Sequence, residues 1–207
     1  MRVKIEKSKA VGTAVAPPSK SIAHRLLIAC ALASGKSEVK GISDSEDMLA
    51  TLDCIKALGV DAQKDGDVVR IRANAKAKNC ECESSVFNDA KSVSKEAIFD
   101  CRESGSTLRF FIPVASVFCD ECEFVGSKRL LERGVEVYEK TLGENGVSVQ
   151  SQKDEIVVSG RLKSGTYTLD GNVSSQYVSG LMFALPLLDG DSKIIVREPV
   201  ESRAYID

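Results

Sequence analysis

Three apolar helical segments, each opened by a short run of small polar residues, limit what this chain can fold into. Ser19-Lys20-Ser21 precedes Ile22–Ala33, Glu103-Ser104-Gly105-Ser106 precedes Thr107–Phe118, and Ser174-Ser175-Gln176 precedes Tyr177–Leu188. The openings stand at 19, 104 and 174, which are 85 and then 70 residues apart. A period of that size marks a repeated supersecondary unit. Each segment is apolar almost all round, which predicts a helix buried beneath a sheet and not an amphipathic surface helix.

The surroundings of each segment repeat as well. In the first unit the helix runs from Ser21 to near Gly35. A strand follows at Ser37–Val39, and Ser43-Asp44-Ser45-Glu46 fits a capping box. It introduces a helix with Met48, Leu49, Leu52, Ile55 and Leu58 on one side, closed by Gly59. Val60–Gln63 and Val68–Arg72 then flank Asp65-Gly66, a hairpin signal. The second unit reads as strand Ile98–Cys101, helix Thr107–Phe118, strand Cys122–Val125, helix Leu130–Leu142 and a hairpin of Val147–Gln150 with Glu155–Val158. The third reads as strand Tyr167–Leu169, helix, strand Lys193–Val196, and the opening of another helix at Ser202-Arg203. Residues 1–15 alternate weakly through Val3, Ile5, Val11, Thr13 and Val15 and predict one or two strands. Residues 73–96 are polar and read as a connector. The expected class is therefore α/β (α+β), with repeats at 16–72, 97–160 and 166–207. The third lacks a second helix and hairpin, so the chain is expected to continue past Asp207, and the isolated piece to self-associate through the uncovered apolar surface.

A helix N-terminus presents unpaired N–H groups and the positive end of the dipole, so it favours an anion. Ser19 follows Pro17-Pro18 at the N-cap position, and Lys20, Ser21 and Arg25 add an ammonium, a hydroxyl and a guanidinium. Arg25 lies four residues after Ser21 on the same face, whereas His24 points off that face and reads as structural. Caps alone do not account for Lys20, Arg25, Arg109 and Arg133, because cations near helix starts are disfavoured by the dipole. Their recurrence implies a ligand carrying several negative charges.

A net charge of −2 gives no support to a nucleic-acid or membrane partner. The first ten residues, MRVKIEKSKA, have no apolar core for a signal peptide, no run is long enough to span a membrane, and a cytoplasmic location is expected. Cys80-Glu81-Cys82 and Cys119-Asp120-Glu121-Cys122 offer four thiols, but their spacing and polar or turn settings argue against a metal site. Seven cysteines, an odd number, argue for free thiols, and Cys30 and Cys54 read as small core residues.

In this order, PPSKSIAHR, ESGSTLR, the Leu131-Glu132-Arg133 triplet, GNVSSQYVSG and ESRAYID resemble the 5-enolpyruvylshikimate-3-phosphate synthase family from about Ala14 onward. The resemblance implies a two-domain fold of βαβαββ units around buried parallel helices, with the active site between the domains. It implies that 16–207 is most of one domain, that 1–15 lead in from the other, and that the third unit here is truncated. It also implies transfer of the enolpyruvyl group of phosphoenolpyruvate to the 5-hydroxyl of shikimate 3-phosphate, in the shikimate pathway of aromatic amino acid biosynthesis, by a monomeric enzyme without metal or organic cofactor. Lys20 matches the lysine shared by both substrates and is the catalytic candidate. Ser21 and Arg25 match the clamp on the shikimate carboxylate, Ser174, Ser175 and Ser202 match phosphate-binding serines, and Gln176 and Tyr205 match residues over and beside the ring. Gly105, Arg133, Lys20 and Gln176 match phosphoenolpyruvate contacts, with Arg109 in support.

Two departures from the family pattern stand out. Glu103 replaces a usual Asn, adding negative charge near the phosphoenolpyruvate side, and Gly134 replaces a usual Pro after Arg133. The family's proton-transferring carboxylates have no counterpart in these residues, so the chain alone is expected to be inactive. Two alternatives stay open: a binding-only domain for shikimate 3-phosphate, and the sister transfer of enolpyruvate to UDP-N-acetylglucosamine. SKS-x-x-HR and SSQ argue for shikimate 3-phosphate over the latter.

Overall fold

A computed structural model describes residues 3, 4, 6, 7, 9, 11–74 and 97–207. The repeat is explicit in its topology. In the first unit α1 (Lys20–Leu32) leads to β1 (Ser34–Val39), α2 (Glu46–Ala57), β2 (Asp61–Asp65) and β3 (Val68–Asn74), with sheet order β1-β3-β2, all antiparallel. In the second, β4 (Ala97–Asp100) leads to α3 (Gly105–Phe118), β5 (Glu121–Val125), two short helices, β6 (Ser148–Ser151) and β7 (Glu155–Ser159). Its order is β4-β5-β7-β6, with β4 parallel to β5 and the remaining pairs antiparallel. The third has β8 (Thr166–Asp170), α6 (Ser175–Ala184) and β9 (Lys193–Arg197), with β8 parallel to β9. Thus β1, β5 and β9 occupy equivalent places, each directly following a first helix.

The hairpin turns where Asp65-Gly66 predicts, with Gly66 at φ +58°. Such a left-handed position favours glycine because a Cβ would clash. The predicted helix Leu130–Leu142 is in fact two: α4 (Lys128–Leu131) and α5 (Glu136–Gly143). The chain breaks at Gly134, φ +65°, a conformation closed to proline, whose ring holds φ near −65°. The third apolar helix likewise ends at Ala184 and tightens into a 3-10 turn, Leu185–Leu187. At α2 the cap is Ser45 and its side chain makes no capping bond, so the predicted capping box is not formed. No described residue before α1 is in a strand. Val11 and Val15 are each 93% exposed, with no neighbouring strand among the described residues to pair them.

Of the three apolar helices, α3 is buried all round: Phe110, Phe111, Ile112, Val114 and Ala115 are inaccessible to solvent. Phe99 of β4 stacks on Phe124 of β5 at 5.0 Å and meets Phe111 at 6.1 Å, tying this sheet to the helix. Full burial was also expected of α1 but does not hold, since Ile22 and Leu26 are 52% and 48% exposed and the helix buries only its Ala23, Leu27, Ile28 and Ala31 side. No other described element covers that stripe.

α6 packs closest on α3. A Cβ at Gly180 would lie 2.3 Å from Tyr138 Oη and 2.7 Å from the Arg109 carbonyl, so only glycine lets the helices approach this far. Gln176 reaches Ser106 and Arg109, while Gly180 reaches Arg109 and Pro113. Residue numbers rise together, so the helices run parallel and begin side by side. No helix among the described residues is long and apolar enough to cross a membrane.

Candidate functional site at the helix starts

Each first helix begins under a serine cap. Ser19 Oγ accepts from Ile22 N at 3.4 Å, Ser104 Oγ from Thr107 N at 3.2 Å, and Ser174 Oγ from Gln176 N at 3.4 Å. The remaining first-turn N–H groups have no intrahelical partner. The side chains singled out in the sequence collect around these three starts in two groups.

The first group joins α3, α6 and the turn after α4. Gln176 donates from Nε2 to Ser106 Oγ at 2.7 Å and accepts at Oε1 from Arg109 Nη1 at 2.8 Å. The Arg109 guanidinium lies over the Tyr177 ring at 5.1 Å. A Cβ on Gly105 would stand 3.3 Å from both Arg109 Nη1 and Arg133 Nη1, so the missing side chain lets two guanidiniums close on the start of α3. Arg133 and Arg129 then line a cavity of about 250 Å³ together with Ser127, Asp47 and Glu103. Asp47 also pairs with Lys20 Nζ, which brings the α1 lysine to the edge of the same cavity. Glu103 stands in this lining, where the sequence places an added negative charge.

The second group is built around Arg25. Its Nη1 donates to the Ser21 carbonyl and its Nη2 to Ser179 Oγ, both at 3.0 Å. The guanidinium lies between two rings, 5.0 Å from Phe110 and 4.9 Å from Tyr205. Cation–π contact partly offsets the loss of hydration, yet burial still pulls the Arg25 pKa down. The Nε atoms of Arg25 and Arg109 are buried without a hydrogen-bond partner. A partly dehydrated cation with unused donors gains more from an anion than one in water does.

Ser174 is exposed at the start of α6, and Ser175 is buried beside it. Ser202 is exposed, stands at φ +54° and caps nothing with its side chain. Left-handed backbone at a serine costs on the order of 1 kcal/mol or more. It heads a 3-10 turn, Arg203–Tyr205, that carries the Tyr205 ring to Arg25. Gly105, Arg109, Arg133 and Gln176 are thus brought together, with Lys20 joined to the cavity beside them through Asp47, as are Ser21, Arg25 and Tyr205, whereas Ser202 makes no bond to Ser174 or Ser175.

Sequence reasoning missed Asp47, Ser106, Phe110, Tyr177 and Ser179. Asp47 carried a usable signal: Asp47 and Thr51 are four apart on one helix, as Lys20 and His24 are on another, with 27 residues separating each pair. Cys119 and Cys122 are buried free thiols, and Cys80 and Cys82 lie outside the described residues. Among the described residues no three His, Cys, Asp or Glu side chains are placed to hold a metal ion.

Residues 5–207 match the family described as EPSP synthase (3-phosphoshikimate 1-carboxyvinyltransferase). A 3-phosphoshikimate 1-carboxyvinyltransferase of Clostridium beijerinckii is 40% identical over 208 residues, covering 99% of this chain and 46% of that protein. One from Clostridium kluyveri is 39% identical over 207 residues, covering 99% and 45%. The EPSP synthase structure from Acinetobacter baumannii superposes with a TM-score of 0.71 at 22% identity, over 92% of this chain and 41% of that one, which establishes a shared fold. The chain spans about half the length of the curated relatives it matches. With the motifs, the repeat and the fold in agreement, this chain belongs to the EPSP synthase (3-phosphoshikimate 1-carboxyvinyltransferase) family.

Proposed function

We propose that this chain serves the transfer of the enolpyruvyl group of phosphoenolpyruvate to the 5-hydroxyl of shikimate 3-phosphate, and that it contributes the shikimate 3-phosphate side of the site. The supporting observation is the gathering of Lys20, Arg25, Arg109 and Arg133 at three capped helix starts. Both substrates carry a carboxylate and a phosphate, and charge-assisted donors suit both groups, with Arg able to hold a carboxylate bidentately. Arg25 and Ser21 hold the shikimate carboxylate, Ser174, Ser175 and Ser202 the phosphate, and Gln176 and Tyr205 the ring. Lys20, Gly105, Arg133 and Gln176 meet phosphoenolpyruvate, with Arg109 bracing Gln176.

The reaction adds the 5-hydroxyl oxygen to C2 of phosphoenolpyruvate as C3 gains a proton. The hydroxyl proton leaves in that addition, and the tetrahedral product then breaks its C2–O bond to phosphate as the C3 methyl gives up a proton, releasing inorganic phosphate. Holding two poly-anions side by side against their repulsion is the part these residues perform. The carboxylates that the family uses for proton transfer have no counterpart here, so these 207 residues bind without turning over. The setting is cytoplasmic, with no nucleic acid or membrane involved.

Calorimetric titration of the chain with shikimate 3-phosphate tests the reading. A Kd near the millimolar end is expected, about −4 kcal/mol, with phosphoenolpyruvate weaker and phosphate release from the mixture at background. Arg25→Ala and Ser174→Ala should each abolish measurable binding. Parent-like affinity in both variants contradicts the residue roles, and tighter binding of UDP-N-acetylglucosamine than of shikimate 3-phosphate points to the sister transfer.

A further inference from the structure

α1 and α2 are joined by two rungs one helical turn apart. Lys20 pairs with Asp47 at the first, and His24 Nδ1 lies 2.7 Å from Thr51 Oγ1 at the second. Four residues separate the partners on each helix, so both rungs lie on one face of each. Thr51 Oγ1 is also 3.1 Å from the Asp47 carbonyl and 2.8 Å from Thr107 Oγ1, and Thr107 Oγ1 is 2.7 Å from Ser104 Oγ, the cap of α3. His24, Thr51, Thr107 and Ser104 are all buried. A polar line therefore runs through the interior from α1, across α2, to the first turn of α3. It adjoins the cavity through Asp47, whose carbonyl accepts from Thr51, and through Glu103, the residue before Ser104.

The protons can be counted along this line. With a hydrogen on Nδ1, His24 donates to Thr51, whose own hydroxyl donates to the Asp47 carbonyl. Thr107 Oγ1 donates to Ser104 Oγ, which also accepts from the Thr107 amide, and Thr51 Oγ1 and Thr107 Oγ1 lie in contact at 2.8 Å. In that tautomer His24 Nε2 is left as a bare buried acceptor. The opposite tautomer would bury an unpartnered N–H and leave the Asp47 carbonyl without the Thr51 proton. Burial keeps the ring neutral at physiological pH, with its pKa lowered to about 4. Such a network is costly to break piecemeal, because each loss leaves a buried polar group unpaired.

We infer that His24 and Thr51 are positioning residues: their buried hydrogen bond sets the starts of α1, α2 and α3 relative to one another, so that Asp47, held by Lys20, and Arg133, closed on Gly105, line one cavity. The inference rests on the function proposed above, and the test separates the two. The 207-residue chain is titrated with shikimate 3-phosphate as parent, Thr51→Val, His24→Phe and His24→Asn, and melting midpoints and ligand-free amide spectra are recorded. Thr51→Val keeps the volume and removes the hydroxyl, His24→Phe keeps the edge contact with the Phe110 ring, centred 6.3 Å away, and Asn supplies a short donor in place of Nδ1–H.

Thr51→Val and His24→Phe are expected to weaken binding about tenfold while remaining folded, and to shift the amides of Ser21, Asp47 and Gly105. His24→Asn should bind within threefold of the parent. Equal affinity in all four folded proteins overturns the inference, as does a loss of melting temperature unaccompanied by any loss of affinity. If the parent itself binds nothing, the proposed function fails and the inference is judged on the ligand-free spectra. Shifts confined to α1 in His24→Phe and to α2 in Thr51→Val would then overturn it, whereas shifts at Gly105 in either variant would uphold the coupling. Should His24→Phe fail to fold, Thr51→Val and His24→Asn decide the question alone.

Discussion

At Arg25 and Arg109, guanidiniums lie against aromatic rings with Nε unpartnered, and at His24 a buried imidazole is held neutral. His24 makes the clearest pH prediction. Its pKa falls to about 4 through burial, with Asp47 opposing the fall and Lys20 and Arg25 adding to it, whereas in the unfolded chain it is near 6.5. Between those values the unfolded state binds a proton that the native state does not, so stability drops as pH is lowered through this window. The total from this group is on the order of 3 kcal/mol. Urea unfolding at pH 7 and pH 4.5 should show the parent losing about 2 kcal/mol more than His24→Asn, and parallel losses would contradict the assignment. At Arg133, replacement by Ala should remove the phosphoenolpyruvate response and change shikimate 3-phosphate affinity less than threefold, measured by titration with each. The helix-opening residues were legible in the sequence because a cap and its cations sit within one turn of each other. Ser179 and Thr107 were not, because tertiary packing alone brings Ser179 to Arg25, 154 positions away, and Thr107 to Thr51, 56 positions away.

Among the elements, the α3–α6 contact depends on Gly180 having no side chain. Tyr138 Oη lies 2.8 Å from the Arg109 carbonyl and 2.9 Å from the Tyr177 carbonyl, so its one proton serves both helices at their closest point. Gly180→Ala would put a methyl against that hydroxyl and the Arg109 carbonyl. Overpacking of this kind costs about 1–3 kcal/mol, and denaturant midpoints should record it. Because Arg109 and Gln176 sit on these two helices, the same variant should also weaken ligand binding. A variant as stable as the parent would show that the helices separate without penalty. The strands and hairpins after α1 were readable from alternation and from Asp65-Gly66, whereas the alternation in residues 1–15 forms no strand among the described residues. The split of the fourth predicted helix was not, since apolar residues recur at helical spacing through Leu130, Tyr138 and Leu142 and conceal a break made by Gly134. The helix periodicity also gave α1 too deep a burial, because an apolar stripe does not reveal whether another element covers it.

Over the whole molecule, three related runs of elements each carry a capped apolar helix followed by a strand, and they differ in what flanks that strand. β1 and β5 each pair antiparallel with the second strand of a hairpin, whereas β9 has only β8 beside it among the described residues. An open edge of this kind recruits another strand, and Ile195 on β9 is partly exposed. Light scattering over a dilution series should show self-association that Ile195→Lys reduces, and a monomer at every concentration would contradict it. The 85- and 70-residue spacings made the three capped apolar helices legible, whereas the side-by-side starts of α3 and α6 depend on packing that the sequence does not show. The central claim is that these openings form an anion site for shikimate 3-phosphate. Amide-resolved NMR titration of the chain with that compound tests it most directly. The expected result is saturable shifts at Lys20–Ser21, Gly105–Ser106 and Ser174–Gln176, with the β2–β3 hairpin unmoved. Saturating ligand that leaves all three helix starts unshifted would contradict it.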